Sequence, residues 1–345
     1  MVILEICVPY ISMQDLYKKF KDYGKVKLNE PLAKHTTFKI GGPASFFVTV
    51  TETEKLVELL KFLDGKGIEY FIHGGGSNTL ASDAGYVGVV IDIKTRNTEV
   101  DGDVFMAEAG CQTVVVAQKS MSAGLTGFEW GVGVPGTIGG AVRGNAGAMG
   151  GDMKKDILKV DVYKDGEVIT VTNEECEFGY RDSAFKNNGG VILRAYLQLK
   201  KAEPDAHLMK KALEHLQYRN STQPKGFASS GCIFKNVDIS QQPTDNRQQQ
   251  LAQKNRTALL EHFDKDDEKV KNFLEVGKIS AGWLIEQAGL KGKKRGKVEI
   301  SDKHGNFMLN TGGATADDVL SLIDEVKQEV YTKLGIELEE EVSIL

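Results

Sequence analysis

The stretch EYFIHGGGSNTLASD, residues 69–83, places three consecutive glycines directly after a short apolar run. Glycine loses more conformational entropy on folding than any other residue, so a triple glycine is expected where side chains would prevent a close approach of the backbone. Tyr70 to Ile72 predicts a short strand that leads into this glycine loop. Successive N–H groups in such a loop form an anion-binding concavity, and Ser77 and Asn78 add side-chain donors. The loop therefore indicates a pyrophosphate site, with a tight turn that holds no ligand as the alternative.

The sequence around the loop predicts a small α/β unit over residues 36–94. The helix before the loop has capping-box spacing at Thr51 and Glu54 and carries leucines on one face. No GK[ST] follows the glycines, which excludes a P-loop. The GxGxxG fingerprint of dinucleotide-binding folds opens a helix, whereas here the chain runs toward a second strand at 87–93.

A second glycine-rich tract, GFEWGVGVPGTIGGAVRGNAGAMGG, occupies residues 127–151. Apolar residues that can pack stand between its glycines, so the tract is not of the disordered low-complexity type. Strands are predicted after it at 158–164, 167–172 and 190–199. Two glycine loops in one α/β frame can hold a long dinucleotide along a groove.

The composition excludes several classes of protein. The chain has 345 residues, 41% hydrophobic and 26% charged, with a net charge of −5. It lacks the clustered basic residues that nucleic-acid binding requires. The four cysteines form no CxxC pair and the six histidines form no HExxH motif, so no metal site is predicted. The N-terminal apolar run is interrupted by Glu5 and lacks a basic n-region, which argues against a signal peptide or a membrane span and favours a cytosolic protein.

The C-terminal part of the chain predicts mainly helices. One is expected at 280–288 and another at 316–333, the latter capped by Thr315 with Asp318 at the capping-box position. Residues 237–278 are rich in polar and charged residues, and their spaced apolar residues predict one or two amphipathic helices.

Seven motifs occur in order along the chain: HTTFKIGG, GGGSNTL, GVPGTIGGAVRGNAGAMGG, GYRDSAFK, SSGCIFKN, AGWLIEQAGLKG and LEEEV. Together they resemble the UDP-N-acetylenolpyruvoylglucosamine reductase family over nearly the whole chain from residue 27. The resemblance implies an α+β fold of the vanillyl-alcohol-oxidase/PCMH type that holds FAD non-covalently. It also implies NADPH as co-substrate and UDP-N-acetylglucosamine enolpyruvate as substrate, which is reduced to UDP-N-acetylmuramate for peptidoglycan synthesis.

The resemblance also divides the chain into domains. It implies an N-terminal extension at 1–26, FAD-binding subdomains at 27–94 and 95–203, and a substrate-binding domain at 204–345. The family subtype with an extra tyrosine-bearing loop is not expected, because few residues separate the GYRDS motif from the next predicted strand. Instead, residues 237–278 form an insertion, which is expected to lie beside the substrate site, to contact a partner or to be a solvated decoration.

The glycine tracts carry the residues that the resemblance assigns to FAD. These are Gly74, Gly75, Gly76, Ser77, Asn78, Thr79, Gly136, Thr137, Gly139, Gly140, Ala141, Asn145 and Gly147. No covalent flavin is expected at His73, because covalently flavinylated relatives carry their histidine elsewhere in the loop. The resemblance further assigns Tyr180, Lys235 and Asn236 to substrate binding.

Three residues match catalytic positions of the family. Arg181 would bind the substrate carboxylate as negative charge develops on it, and Glu341 would share a proton with it. Cys232 stands where the best-known members carry a proton-donating serine. A thiol is far more acidic than an aliphatic hydroxyl, so it can take this role. The two serines just upstream remain alternative donors, and strand alternation leaves Glu339 as an alternative to Glu341.

Two other functions are compatible with the glycine tracts. One is another FAD-dependent oxidase or dehydrogenase of the same fold, which would react with oxygen. The other is a nucleotide-sugar or flavin-binding protein without catalysis, whose flavin NADPH would not reduce. The combination of Arg181, Cys232 and Glu341 favours the reductase instead, as a monomeric cytoplasmic enzyme with no nucleic-acid or membrane partner.

Overall fold

The computed structural model describes residues 11–203, 207–240 and 246–345. The α-helices are α1 (Met13–Phe20), α2 (Thr53–Lys66), α3 (Thr113–Ser122), α4 (Ile138–Arg143), α5 (Met153–Asp156), α6 (Leu208–Thr222), α7 (Asn246–His262), α8 (Glu268–Val276), α9 (Ala281–Gln287) and α10 (Ala316–Leu334). The strands are β1 (Lys25–Pro31), β2 (Pro43–Val50), β3 (Tyr70–His73), β4 (Thr79–Leu80), β5 (Tyr86–Ile93), β6 (Thr98–Asp101), β7 (Val104–Glu108), β8 (Leu125–Thr126), β9 (Gly147–Ala148), β10 (Gly151–Asp152), β11 (Ile157–Lys164), β12 (Glu167–Thr172), β13 (Val191–Gln198), β14 (Lys200–Lys201), β15 (Val237–Asp238), β16 (Lys278–Ile279), β17 (Lys294–Arg295), β18 (Val298–Ile300), β19 (Met308–Asn310) and β20 (Ser343–Ile344).

The chain forms two compact units. Unit 1 contains the described residues up to His35, together with Gly42–Gly76 and Ala84–Ser221. Unit 2 contains Thr36–Gly41, Ser77–Asp83 and Thr222–Leu345. The first glycine loop therefore begins in unit 1 and ends in unit 2.

The first sheet of unit 1 has four strands in the order β1-β2-β5-β3. The pair β1/β2 is antiparallel, whereas β2, β5 and β3 run parallel. Helix α2 buries four leucines on one face, as their spacing predicts. The predicted capping box at Thr51 and Glu54 is wrong, because α2 begins at Thr53 with Glu52 as N-cap and no side-chain cap. The Thr53 hydroxyl donates instead to the Glu108 carboxylate at 2.7 Å, a tertiary contact at the first residue of the helix.

The second sheet of unit 1 has five antiparallel strands in the order β12-β11-β13-β7-β6. Three of them, β11, β12 and β13, confirm the predicted strands to within a residue or so at each end. Helix α4, which carries part of the second glycine tract, is attached just after β7. Ile138 N donates to Cys111 O at 2.8 Å and Gly139 N to Ala109 O at 2.9 Å. The second tract is thereby held at one end of this sheet.

Helix α1 belongs to the core of unit 1. Leu16 and Phe20 are buried there, and the Phe20 ring meets the Phe46 ring edge-on with centroids 5.0 Å apart. The predicted N-terminal extension therefore packs on the first sheet from residue 12 onward, while its residues 1–10 lie outside the described residues.

Unit 2 is built around α10 and the three-stranded sheet β17-β18-β19. The predicted capping box of α10 is confirmed, because the Thr315 hydroxyl accepts from Asp318 N and the Asp318 carboxylate accepts from Thr315 N. The helix ends at Gly335 in the left-handed conformation. The C-terminal strand β20 pairs in parallel with β4, which follows the first glycine loop.

The insertion forms a packed part of unit 2. Its base is closed where β15 pairs with β16, and between them the chain folds into α7 and α8, which confirms the predicted helices. Leu259 and Val270 are fully buried in the core of unit 2. The rings of Phe263 and Phe273 lie 4.5 and 5.0 Å from the Trp283 ring on α9, measured between centroids. The insertion is therefore not a solvated decoration.

Candidate active site

The two glycine tracts meet inside unit 1. A Cβ atom on Gly75 would lie 2.6 Å from Gly136 Cα, and a Cβ on Gly74 would lie 2.7 Å from Thr137 Oγ1. Both distances are far inside van der Waals contact. Gly76 has a φ of 60°, in the left-handed region that favours glycine. The triple glycine therefore does allow a close approach of the backbone, as predicted. The group that it approaches is the second glycine tract, which the sequence did not identify.

The second tract enters α4 at Thr137, whose hydroxyl accepts from Gly140 N at 3.4 Å. A Cβ on Gly139 would lie 3.0 Å from Ala109 Cβ, so packing explains that glycine. Gly140 differs, because it is exposed and a Cβ there would meet nothing closer than 3.6 Å. Gly75 is exposed as well. The meeting point of the tracts thus presents open glycine backbone, which suits the diphosphate of FAD.

Three further predicted FAD ligands have their own roles in unit 1. Ala141 is buried in the core, and Gly147 lies in β9, where no Cβ fits against β10. Asn145 is buried, its amide donates to Gly179 O at 2.7 Å, and its Oδ1 accepts from Lys154 N at 2.9 Å. Because both of its polar atoms bond to protein, Asn145 has a structural role beside its predicted contact with FAD.

Charged groups surround the start of the first loop. Lys94 Nζ lies 2.6 Å from the Asp92 carboxylate and 3.5 Å from Gly74 O. His73, at the end of β3, is buried, and this burial lowers its pKa to about 4, against the opposing effect of Asp92. His73 is therefore neutral near pH 7. The sequence analysis did not identify Lys94. It is a single lysine directly after a strand, and no sequence pattern indicates that such a residue lies near the glycine loop.

In unit 2 the first loop lies beside the C-terminal segment. The Asn78 amide donates to Glu341 O at 2.9 Å, and Ser343 N donates to Asn78 O at 3.0 Å. Thr79 is opposite Ser343 in the β4/β20 pair, and Ser77 is half-buried just before it. Residues predicted to bind FAD therefore adjoin the segment that carries the predicted catalytic glutamate.

The structure brings the segments of Cys232 and Glu341 together in unit 2. Glu341 N donates to Ile233 O at 2.7 Å, so the glutamate lies beside the residue that follows the cysteine. Cys232 pairs with Phe307 across an isolated β-bridge and is half-buried. Ser230, one of the alternative proton donors, is buried, and its hydroxyl has no hydrogen-bond partner among the described residues.

The acidic residues next to Glu341 are engaged by lysines. Lys235 Nζ lies 2.5 Å from the Glu339 carboxylate, and Lys327 Nζ lies 2.7 Å from the Glu340 carboxylate. Asn236 Oδ1 accepts from Ala281 N at 3.2 Å. The predicted substrate ligands Lys235 and Asn236 thus both have partners inside unit 2, and their contact with substrate stays a prediction.

Arg181 lies in unit 1 at the tip of a tight turn, with a φ of 55°. Its Nη2 donates to Gly147 O at 3.2 Å, and its guanidinium lies 5.4 Å from the centroid of the Tyr180 ring. The structure thus joins the predicted residues Tyr180, Arg181 and Gly147 in unit 1. Lys186, which donates to Arg181 O at 2.5 Å, was not singled out from the sequence, although it closes the quoted motif GYRDSAFK.

The two buried cysteines of unit 1, Cys111 and Cys176, are not suited to nucleophilic catalysis. Burial raises the pKa of the Cys111 thiol to about 11 and that of Cys176 to about 12, far from the thiolate form that nucleophilic chemistry requires. No group of three or more His, Cys, Asp or Glu side chains within the described residues is placed to hold a metal ion. None of the helices in this part of the chain is long and apolar enough to cross a membrane.

Comparison with known families covers most of the chain. Residues 44–172 match an FAD binding domain, and residues 223–345 match the C-terminal domain of UDP-N-acetylenolpyruvoylglucosamine reductase. The first range contains both glycine tracts, and the second contains Cys232 and Glu341.

Relatives match over nearly their full length. The UDP-N-acetylenolpyruvoylglucosamine reductases of Caldanaerobacter subterraneus and Bacillus subtilis are each 35% identical to the chain, over 96% and 95% of it and 97% and 96% of their own lengths. The crystal structure of UDP-N-acetylenolpyruvylglucosamine reductase from Thermus caldophilus is 32% identical, with a TM-score of 0.69 over 93% of this chain and 98% of that one. These matches confirm the predicted α+β fold of the vanillyl-alcohol-oxidase/PCMH type.

Proposed function

The chain belongs to the UDP-N-acetylenolpyruvoylglucosamine reductase family, and we propose that it reduces UDP-N-acetylglucosamine enolpyruvate to UDP-N-acetylmuramate with NADPH and FAD, in peptidoglycan precursor synthesis. The observation that carries the proposal is the 2.7 Å bond from Glu341 N to Ile233 O. This backbone bond supports the proposal, because the segments that carry Glu341 and Cys232 adjoin in unit 2, and the proposed reaction needs both residues.

The glycine tracts are suited to hold FAD. Gly75 and Gly140 are exposed, so their backbone is accessible near the point where the tracts meet. Helix α4 begins directly after Thr137, and backbone N–H groups are available at that end of the helix. Bound there, FAD would supply hydride chemistry, receiving the hydride from NADPH and passing it to the enolpyruvyl double bond. The neutral His73 nearby adds no positive charge near pH 7.

In this proposal, residues of the chain stabilise the negative charge that develops on the substrate and donate the proton that completes the reduction. Arg181 presents a guanidinium fork, which suits a carboxylate that gains negative charge as its neighbouring double bond is reduced. The Cys232 thiol donates the proton to the adjacent carbon, so hydride and proton together saturate the bond. Glu341 shares a proton with the substrate carboxylate, while Tyr180, Lys235 and Asn236 contact the rest of the substrate. In this role Lys235 would exchange its bond to Glu339 for one to substrate phosphate.

The test is an anaerobic absorbance experiment on wild type, Cys232→Ala and Cys232→Ser. Wild-type flavin should bleach with NADPH and recover its colour with UDP-N-acetylglucosamine enolpyruvate. Cys232→Ala should bleach normally but recover slowly, whereas Cys232→Ser should retain a hydroxyl donor and recover. A flavin that NADPH does not reduce would refute the reductase in favour of a binding protein. A reduced flavin that the UDP-sugar does not reoxidise, but that recovers its colour once oxygen is admitted, would indicate an oxidase.

The proposal includes a monomer in the bacterial cytoplasm. Size-exclusion chromatography with light scattering tests the monomer, since a dimer would double the mass of 37.8 kDa. Cell fractionation tests the location.

A further inference from the structure

The predicted catalytic arginine sits on a strained turn. Gly179 N donates to Asp182 O at 3.0 Å and Asp182 N to Gly179 O at 3.3 Å, so Tyr180 and Arg181 form a two-residue loop between them. Arg181 has a φ of 55°. A positive φ at the second position of such a turn is usually taken by glycine or asparagine, because other side chains are strained there.

Strained backbone of this kind persists only where the surroundings determine it. Two side chains hold the turn in unit 1. The Lys186 ammonium donates to Arg181 O at 2.5 Å, and the Asn145 amide donates to Gly179 O at 2.7 Å. Lys186 lies 3.8 Å from the Asp182 carboxylate, so the carbonyl of Arg181 is the closer partner. A hydrogen bond from an ammonium group is charge-assisted and therefore among the stronger ones.

Two other contacts orient the side chain of Arg181. Its Nη2 donates to Gly147 O at 3.2 Å in β9, and its guanidinium lies over the Tyr180 ring. The residue is thus fixed at its carbonyl by Lys186 and at its guanidinium by Gly147. Loss of either bond would remove one of these two constraints on the guanidinium.

We propose that Lys186 is a positioning residue for the reduction: its bond to the Arg181 carbonyl holds the strained turn and so directs the guanidinium at the substrate carboxylate. This inference rests on the proposed function. It predicts that Lys186 matters to the transfer from reduced flavin to the enolpyruvyl substrate, in which the carboxylate gains charge, and not to the reduction of flavin by NADPH. A misplacement of about 1 Å can cost about a hundredfold in rate.

The experiment compares Lys186→Met with Lys155→Met in anaerobic stopped-flow measurements. Lys155 is a matched control, because its ammonium donates to a backbone carbonyl, that of Gly150, at 2.6 Å without touching Arg181. In Lys186→Met, flavin reoxidation by the enolpyruvyl substrate should slow about ten- to hundredfold, with flavin reduction by NADPH unchanged. Lys186→Arg, which keeps a cationic donor, should recover part of the loss. In Lys155→Met both rates should match the wild type.

A double-mutant cycle tests whether Lys186 acts through Arg181. In an Arg181→Ala background, Lys186→Met should cause no further slowing, because the group that it positions is gone. Multiplying effects would overturn the proposal and indicate that the ammonium contacts substrate directly. Loss of both half-reactions, or of bound flavin, would overturn it in favour of a purely structural lysine. Failure of the proposed function is distinguishable, since the wild-type flavin would then not be reoxidised by this substrate at all.

Discussion

Replacing Gly75 by alanine should destabilise unit 1, because the added methyl group has no room against the second glycine tract. Its carbon would stand 2.6 Å from Gly136 Cα and 3.2 Å from the Gly136 carbonyl carbon. Carbon atoms pack best at about 3.5–4.0 Å, so the first contact is about 1 Å too short. Both sides of the contact are backbone, and relief therefore requires a chain segment to move. Overpacking of this kind costs about 1–3 kcal/mol, and we expect the upper part of that range.

The assay is the thermal midpoint of the protein measured with and without FAD. In a domain of about 200 residues, 1 kcal/mol shifts the midpoint by about 2–4 °C, so Gly75→Ala should lower it by about 4–12 °C. Gly65→Ala is the matched control, because a Cβ there meets nothing within 4 Å and the residue lies in α2. Alanine in a helix is favoured over glycine by about 0.5–1 kcal/mol, so the control should melt slightly higher than wild type.

Two results would contradict this reasoning. If Gly75→Ala melts within about 1 °C of the wild type in the absence of FAD, the two tracts do not meet as described. If that variant also binds FAD about tenfold more weakly, the glycine is required by the ligand alone. The pyrophosphate interpretation of the triple glycine would then explain Gly75 by itself.

Three other substitutions test neighbouring claims. Gly140→Ala should leave the apoprotein as stable as wild type or slightly more stable, because a Cβ there meets nothing closer than 3.6 Å and alanine is favoured over glycine in a helix. FAD titration should show weaker binding if the diphosphate lies on α4. Asp156→Asn should stabilise the protein above pH 6 and lose this advantage toward pH 4. Burial raises the pKa of Asp156 to about 6, so ionising it in the folded state costs up to about 3 kcal/mol as the pH rises through that window. Thermal midpoints of both proteins from pH 4 to 8 check this, and a constant difference would refute it. Ser230→Ala removes a buried hydroxyl that has no partner among the described residues, so it should preserve stability or raise it by about 1 kcal/mol. It should also leave the rate of flavin reoxidation unchanged if Cys232 is the proton donor, whereas a lost rate would transfer that role to Ser230.

The sequence predicts the regular elements well where the apolar spacing is decisive. The leucine face of α2, the strands β11, β12 and β13, and the helical character of the insertion follow from sequence patterns, although these patterns left open whether the insertion has one helix or two. The start of α2 does not follow from periodicity: it lies at Thr53, whose hydroxyl bonds to Glu108, a residue 55 positions away. A capping-box pattern describes only local competition for backbone N–H groups and contains no information on such a contact.

The glycine loop shows a different limit. A glycine in the sequence indicates that a Cβ would be unfavourable, but it does not identify the group that would meet that Cβ. For Gly74 and Gly75 that group is the backbone and side chain of the second tract. Lys186 was missed for a related reason, since it bonds to the carbonyl of Arg181, whose positive φ no periodic pattern predicts.

The sequence does not decide whether Glu339 or Glu341 is the proton-sharing carboxyl group, because residues two positions apart point to the same side of an extended chain. The backbone pairing in the structure separates them. Lys235 N donates to Glu339 O at 2.8 Å, and this register places the lysine ammonium against the Glu339 carboxylate. The Lys235 ammonium is therefore already the ion-pair partner of the Glu339 carboxylate. The same pairing continues to Glu341, whose N–H bonds to Ile233 next to Cys232. One stretch of backbone pairing therefore assigns Glu339 to an ion pair and brings Glu341 to the segment of the proposed proton donor, which favours Glu341 as the proton-sharing carboxyl group.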